Sequence, residues 1–127
     1  MQKLLFFTLI LAAVACSNGA SQKKKLDADA FDQMLKADKT VQLVDVRTPD
    51  EFAQGHIPNA VNIDYYSSDF ATRIGALDKS RPVLVYCASG SRSASAAGKM
   101  NKMGFDKVYD LAGGIGFWAA SGKPVTN

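Results

Sequence analysis

Cys87 is the side chain in this sequence with the strongest claim to chemistry, because of what surrounds it in Val83-Leu84-Val85-Tyr86-Cys87-Ala88-Ser89-Gly90-Ser91-Arg92-Ser93. The apolar, β-branched run before it suits a buried central strand. Ser91 to Ser93 lead into Ala94, Ala96 and Ala97, which favour a helix. The Cys therefore stands at a strand's carboxyl end with a helix N-terminus just beyond. Ala88, Ser89, Gly90 and Ser91 form a small-residue loop, and Gly90 lets the backbone curl. A loop curled around Cys87 aims N–H groups at its sulfur, and the helix dipole and Arg92 add positive charge. All three favour the thiolate, the reactive form of cysteine. The competing reading, an inert thiol closing a core strand, accounts for the apolar run. It leaves Gly90, Arg92 and Ser93 without a purpose.

Few other groups compete. His56 is the sole His and the only ready-made general base, set in a Gly-His-Ile-Pro turn. A hydrogen-bonded structural role suits it, with a Cys–His dyad left open. Asp45, Arg47 and Glu51 read as a supporting polar network, with Glu51 close enough in sequence to pair with Arg47. No metal site is expected, since two Cys and one His fall short of a four-ligand set.

The elements that must hold Cys87 follow from periodicity and caps. An amphipathic helix is predicted over 27–36, with Phe31, Met34 and Leu35 on one face. Val41–Arg47 reads as a strand. Thr48-Pro49-Asp50-Glu51 is a capping box with Pro at the first helical position, opening a helix to Gln54 that stops at Gly55. A short strand is predicted over 60–64. Ser67 or Ser68 is expected to cap a helix carrying Phe70, Ile74 and Leu77. Asp78–Pro82 is a polar turn into the central strand. The helix after Cys87 is predicted over 92–103, closed by Gly104. Lys107–Leu111 is the last strand. Gly113-Gly114 is a turn, and Phe117 and Trp118 are expected to pin a final short helix. Strands alternating with helices predict an α/β fold, a mostly parallel sheet with helices on both faces.

Of the 127 residues, 47% are hydrophobic and 21% charged, enough for one globular domain, assigned to residues 26–127. The net charge of +3 is matched by Lys23-Lys24-Lys25 alone, so the basic excess is local and no nucleic-acid partner is expected. Residues 1–15 read as a secretory signal peptide: Lys3, an apolar run from Leu4 to Val14, and the small-residue site Ala13-Val14-Ala15. Cys16 follows at once, and Ala13-Val14-Ala15-Cys16 resembles a bacterial lipobox, which makes Cys16 the expected lipidation site. The rival is ordinary cleavage leaving a free N-terminal thiol. Residues 16–25 would form a polar tether. The protein is thus expected to be exported to the bacterial periplasm or cell envelope, meeting a membrane only through that anchor. Lipidation would also remove Cys16 as a disulfide partner for Cys87 in an oxidising compartment.

Several motifs in order resemble one family. Cys87-Ala88-Ser89-Gly90-Ser91-Arg92-Ser93 is similar to the active-site loop of single-domain rhodaneses. Asp45-Val46-Arg47 with Glu51-Phe52, Gly55-His56-Ile57 and Asn62-Ile63 resembles the family's amino-terminal segment. Gly104-Phe105, Val108, Leu111, Gly113-Gly114 and Trp118 resemble its closing one. The resemblance implies a rhodanese-like fold and a sulfurtransferase. Its Cys87 would take sulfane sulfur from thiosulfate or a persulfide, hold it as a persulfide, and pass it to a thiol or cyanide, with a protein donor or acceptor also open. It implies no cofactor and no His partner. Here Ala88, Ser89 and Ser91 are neutral where thiosulfate-preferring members often carry cations, which argues against a strong thiosulfate preference. Two alternatives stay open: a cysteine phosphatase or arsenate reductase, and a non-catalytic binding module.

Overall fold

The computed structural model describes residues 22–127; the expected signal peptide, Cys16 and the first half of the expected tether lie outside the described residues. The elements run β1 (Gln22–Leu26), α1 (Ala28–Ala37), β2 (Gln42–Asp45), α2 (Pro49–Ala53), β3 (Val61–Asn62), α3 (Phe70–Gly75), β4 (Val83–Tyr86), α4 (Ser91–Lys102), β5 (Lys107–Leu111) and α5 (Gly114–Ala120). The five strands form one sheet in the order β1-β5-β4-β2-β3, every neighbouring pair parallel. The α/β expectation holds, and "mostly parallel" becomes wholly parallel.

Side-chain alternation along β4 decides what each face of the sheet buries. Val83, Val85 and Cys87 point to one side and pack with Phe70 and Ile74 of α3 and Ala96, Ala97 and Met100 of α4. Leu84 and Tyr86 point to the other and pack with Phe31 of α1, Ile57 and Trp118 of α5. Both faces of the sheet are covered, which is why all four residues of β4 are buried and the run reads as continuous apolar sequence. Phe31 meets Trp118 edge-on at 6.0 Å between centroids, and the indole N–H donates to Pro124 O at 2.8 Å.

Helix starts follow local chemistry. Asp27 caps α1, accepting from Ala30 N at 2.8 Å. Thr48 and Glu51 form the expected capping box of α2, with Pro49 at its first position. At α3 the structure corrects the sequence reading. Its N-cap is Asp69, with no side-chain cap bond; Ser67 instead closes the preceding turn, its carbonyl accepting from Phe70 N at 3.1 Å.

Three further differences have physical causes. Residues 22–25, expected as part of a tether, form most of β1 at the sheet's edge. A run of Lys looks like a solvated linker, yet charge is what edge strands carry to discourage further pairing. The strand read over 60–64 is ordered as β over Val61–Asn62 only. Phe117 does not pin α5: it is 67% exposed, and of the two aromatics Trp118 alone is buried.

The connections place the site. The chain leaves β4 toward β5 and leaves β2 toward β3, so the crevice between the carboxyl ends of β4 and β2 is a topological switch point, where open α/β sheets bind ligands. Cys87 opens onto that end.

Candidate active site

Past Tyr86 the chain turns sharply into α4. Gly90 is the N-cap, at φ +113°, a left-handed conformation that a β-carbon would strain. That turn brings Gly90 N–H back onto Cys87 Sγ at 3.0 Å, and the Ser93 hydroxyl donates to the same sulfur from 3.3 Å. The Ser93 hydroxyl also lies 3.2 Å from Gly90 O, so it braces the loop it serves.

Cys87 is only 1% exposed and belongs to the apolar core on the α3–α4 face. Burial therefore pushes its pKa up. The Ser93 hydroxyl, then the Ser93, Gly90 and Ser89 amides, pull it down, and the net result is a thiol more acidic than usual. Entombment does not win here, because the sulfur faces donors and not only hydrocarbon.

The residues of the loop divide by exposure. Gly90 and Ser93 are buried with Cys87, Ala88 and Arg92 are half-buried, and Ser89 and Ser91 face solvent. Arg92 makes a two-pronged pair with Glu51 of α2, Nη1 to Oε1 at 2.8 Å and Nη2 to Oε2 at 2.9 Å. Its guanidinium also lies 5.7 Å from the ring centroid of Tyr66. Arg92 holds the Glu51 carboxyl down to about 2, and Glu51 in turn keeps Arg92 more firmly protonated. This corrects one expectation: Glu51 pairs with Arg92 and not with Arg47.

Arg47 turns to Asp45 instead. Its Nη2 donates to Asp45 Oδ2 at 2.7 Å and to Gly55 O at 2.7 Å, while its backbone N–H reaches Asp45 Oδ1 at 2.9 Å. Both side chains are buried. Tyr86 lies beneath: its hydroxyl accepts from Ile57 N at 3.0 Å, and burial, then Asp45, raises its pKa. Asp45 and Arg47 are thus the buried ionic knot that fixes the β2–α2 turn and carries Gly55. His56 is structural as well. Its ring stacks on Phe52 at 3.7 Å, Nδ1–H donates to Phe52 O at 3.1 Å, and its backbone bridges Thr126.

Sequence reading missed the floor of the site. Ile115 N–H donates to Cys87 O at 2.9 Å and Gly116 N–H to Ala88 O at 3.3 Å, so the start of α5 grips the loop from behind. A β-carbon on Gly114 would lie 2.5 Å from both carbonyl oxygens, at φ +62°. The Gly113-Gly114 doublet was the available signal; it reads as a turn until the partner backbone is seen. Tyr66 was also missed, because an exposed aromatic in a polar stretch has no periodicity to mark it.

A cleft of about 390 Å³ opens beside the loop between α2 and α5, lined by residues including Arg47, Glu51, Ile115 and Gly116. Another cavity, about 470 Å³, lies at the other end of the strands near Pro82 and Lys107, away from Cys87. Among the described residues, no group of three or more His, Cys, Asp or Glu gathers to hold a metal ion.

The loop, the switch-point crevice and the order of motifs agree with a single family model, the Rhodanese-like domain, which matches residues 27–121. The chain belongs to the rhodanese-like family. Relatives include the "Sulfurtransferase" of Allochromatium vinosum, 38% identical over 101 residues, covering 80% of this chain and 92% of the relative. Another is the "Thiosulfate sulfurtransferase GlpE" of Shewanella oneidensis, 40% identical over 98 residues, covering 77% and 94%. The crystal structure of a rhodanese-related protein from Thermoplasma volcanium superposes with a TM-score of 0.72 at 30% identity, covering 81% of this chain and 97% of that one. A rhodanese-like domain from Anabaena gives 0.74 at 28% identity, covering 84% and 80%. In this rhodanese-like domain the amides of Ile115 and Gly116 hold the Cys87 loop from behind, while the Asp45–Arg47 pair fixes the neighbouring β2–α2 turn.

Proposed function

We propose that this protein is a sulfurtransferase in which the Cys87 thiolate accepts a sulfane sulfur and passes it on. The single observation that carries the reading is the pair of donors on Cys87 Sγ, Gly90 N–H and the Ser93 hydroxyl, at the N-terminus of α4. The names of the relatives support it.

In the first step Cys87–S⁻ attacks the outer sulfur of a donor. With thiosulfate, the S–S bond breaks, sulfite leaves with the bonding pair, and a Cys87 persulfide anion forms. In the second step a thiol or cyanide takes the outer sulfur and the thiolate returns. The loop donors stay in place through both steps, so the charge moves along the sulfur chain while the amides that stabilise it do not reorganise. The same donors that acidify Cys87 then hold its persulfide. The phosphatase alternative is weakened by Arg92, whose two terminal nitrogens are engaged by Glu51 and do not face a tetrahedral anion over the loop.

The test is the mass of the intact protein after incubation with thiosulfate. A gain of one sulfur, removed by cyanide and missing in Cys87→Ser, is the expected result. An unchanged mass with every sulfane donor tried would reject the reading.

We also propose export and lipidation at Cys16, supported by Lys3, the apolar run Leu4–Val14 and Ala13-Val14-Ala15-Cys16. Metabolic labelling with a fatty acid should mark the protein and fail to mark Cys16→Ser. Equal labelling of both would sink this assignment.

A further inference from the structure

The loop carries one cation, Arg92, and that cation is already neutralised. Glu51 occupies both terminal nitrogens at 2.8 and 2.9 Å, and the Tyr66 ring lies against the guanidinium. Both members of the pair remain partly open to solvent, Arg92 at 18% and Glu51 at 33%, so the pair stands at the mouth of the site. Asp50 and Asp69 lie exposed at the starts of α2 and α3, at the same end of the sheet. Among the described residues that line the cleft beside the loop, the one cation is Arg47, buried on Asp45 and Gly55 O. A small dianion approaching Cys87 through the cleft therefore meets a compensated ion pair and exposed carboxylates, and among the described residues that line it there is no side-chain cation without a bonded partner.

We infer that Glu51 is a specificity residue. By holding Arg92 it selects against small dianionic sulfur donors and for donors that bring their outer sulfur without a second charge, such as an alkyl persulfide, which carries at most one negative charge and reacts through its protonated form. This rests on the sulfur-transfer reading above. For such a donor the step is Cys87–S⁻ + R–S–SH → Cys87–S–SH + R–S⁻. The Cys87–sulfur bond forms, the donor S–S bond breaks, and the leaving thiolate takes the bonding pair and later a proton from water. Charge is −1 on each side. The thiosulfate step carries −3 on both sides and gathers that charge beside Glu51. A site built for the first reaction needs only the amides and the hydroxyl on Sγ. A site built for the second needs a free cation.

Glu51→Gln separates the two roles of this residue. Gln at the third helical position still completes the capping box with Thr48, so α2 keeps its start. Arg92 then loses its compensating charge. The measurement is the rate constant of Cys87 persulfide formation from thiosulfate and from an alkyl persulfide, read as the gain of one sulfur in the intact mass. The expected result is a rise of about fivefold in the thiosulfate-to-persulfide ratio, the scale of one partly screened charge. The double variant Glu51→Gln/Arg92→Gln should return the ratio to that of the parent. A ratio that does not move would mean that the pair only staples α2 to α4, and would overturn the inference.

A second measurement needs no variant. Thiosulfate kcat/KM of the parent should change little as salt is added, because no free cation attracts the dianion. A steep fall with salt would show an available cation and overturn the inference too. If the parent takes sulfur from neither donor, the sulfur-transfer reading fails and the inference goes with it. Transfer from both donors with an unmoved ratio removes the inference alone.

Discussion

Two arginine–carboxylate pairs flank the crevice, and they do opposite work. Asp45 and Arg47 are two residues apart, both buried, and bonded to one another and to Gly55 O. Glu51 and Arg92 are 41 residues apart, both partly exposed, and they join α2 to α4 across the switch point. The first pair is scaffold: burial makes its loss expensive and its presence invisible to substrate. The second pair costs little to hold or to break, and lies where substrate passes. Burial and sequence separation, not residue type, assign the roles.

The contrast breaks most sharply by comparing stability with activity at the two strand ends. Cys87→Ser should lose sulfur transfer entirely, by three orders of magnitude or more on the scale of a removed nucleophile. Its thermal unfolding should stay close to the parent's. A variant with parental activity would show that the sulfur at position 87 is not the acceptor. Asp45→Ala should do the reverse. Leaving Arg47 charged and buried costs about 3–5 kcal/mol, read by urea denaturation, and a loss below 1 kcal/mol would mean water replaces the carboxylate freely.

The floor of the loop should behave like the scaffold. Gly114→Ala introduces a β-carbon against the Cys87 and Ala88 carbonyls at a positive φ. The expected loss is about 2–3 kcal/mol, from overpacking and backbone strain, with part of the activity lost as the loop shifts. Ser93→Ala tests the chemistry side alone. Without the hydroxyl, burial weighs more heavily and the Cys87 pKa rises. The thiolate absorbance in the ultraviolet should then appear at a higher pH than in the parent. An unshifted curve would put the acidification on the amides only.

The smallest effect expected is on acid stability. Glu51 has its pKa lowered from 4.5 to about 2 by Arg92, so its stabilisation is full above pH 4.5 and is lost as pH falls through about 2. For a group one-third exposed, this is worth about 1 kcal/mol after solvent screening. Glu51→Gln should flatten the acid limb of the stability curve in that window. A limb of parental slope would assign it to other carboxylates.

Much of this was legible in the chain itself. β4, the loop, α1, α2 and α4 follow from apolar periodicity and caps, which are local signals. The partner of Glu51 was not legible, because nothing in Asp50-Glu51-Phe52 says that a guanidinium 41 residues away returns to it. Nearness in sequence pointed to Arg47, which the buried carboxylate of Asp45 had already taken. The role of Gly114 was hidden for the same reason: a glycine required by close approach looks like one required by a turn until the approaching backbone is in place. Lys23-Lys24-Lys25 misled through composition, since an edge strand and a linker both tolerate charge.

An all-parallel sheet has a sense of direction, and this one points. Gln22 pairs with Lys107 at the start of β5, level with the entrance to β4. Cys87 lies beyond the far end of β4, about 16 Å along the strands at 3.3 Å per residue. Whatever precedes Gln22 therefore joins the domain at the pole opposite the reactive sulfur. A partner that takes sulfur from Cys87 therefore reaches the domain on the side away from Gln22, without crossing the strand edge where β1 begins.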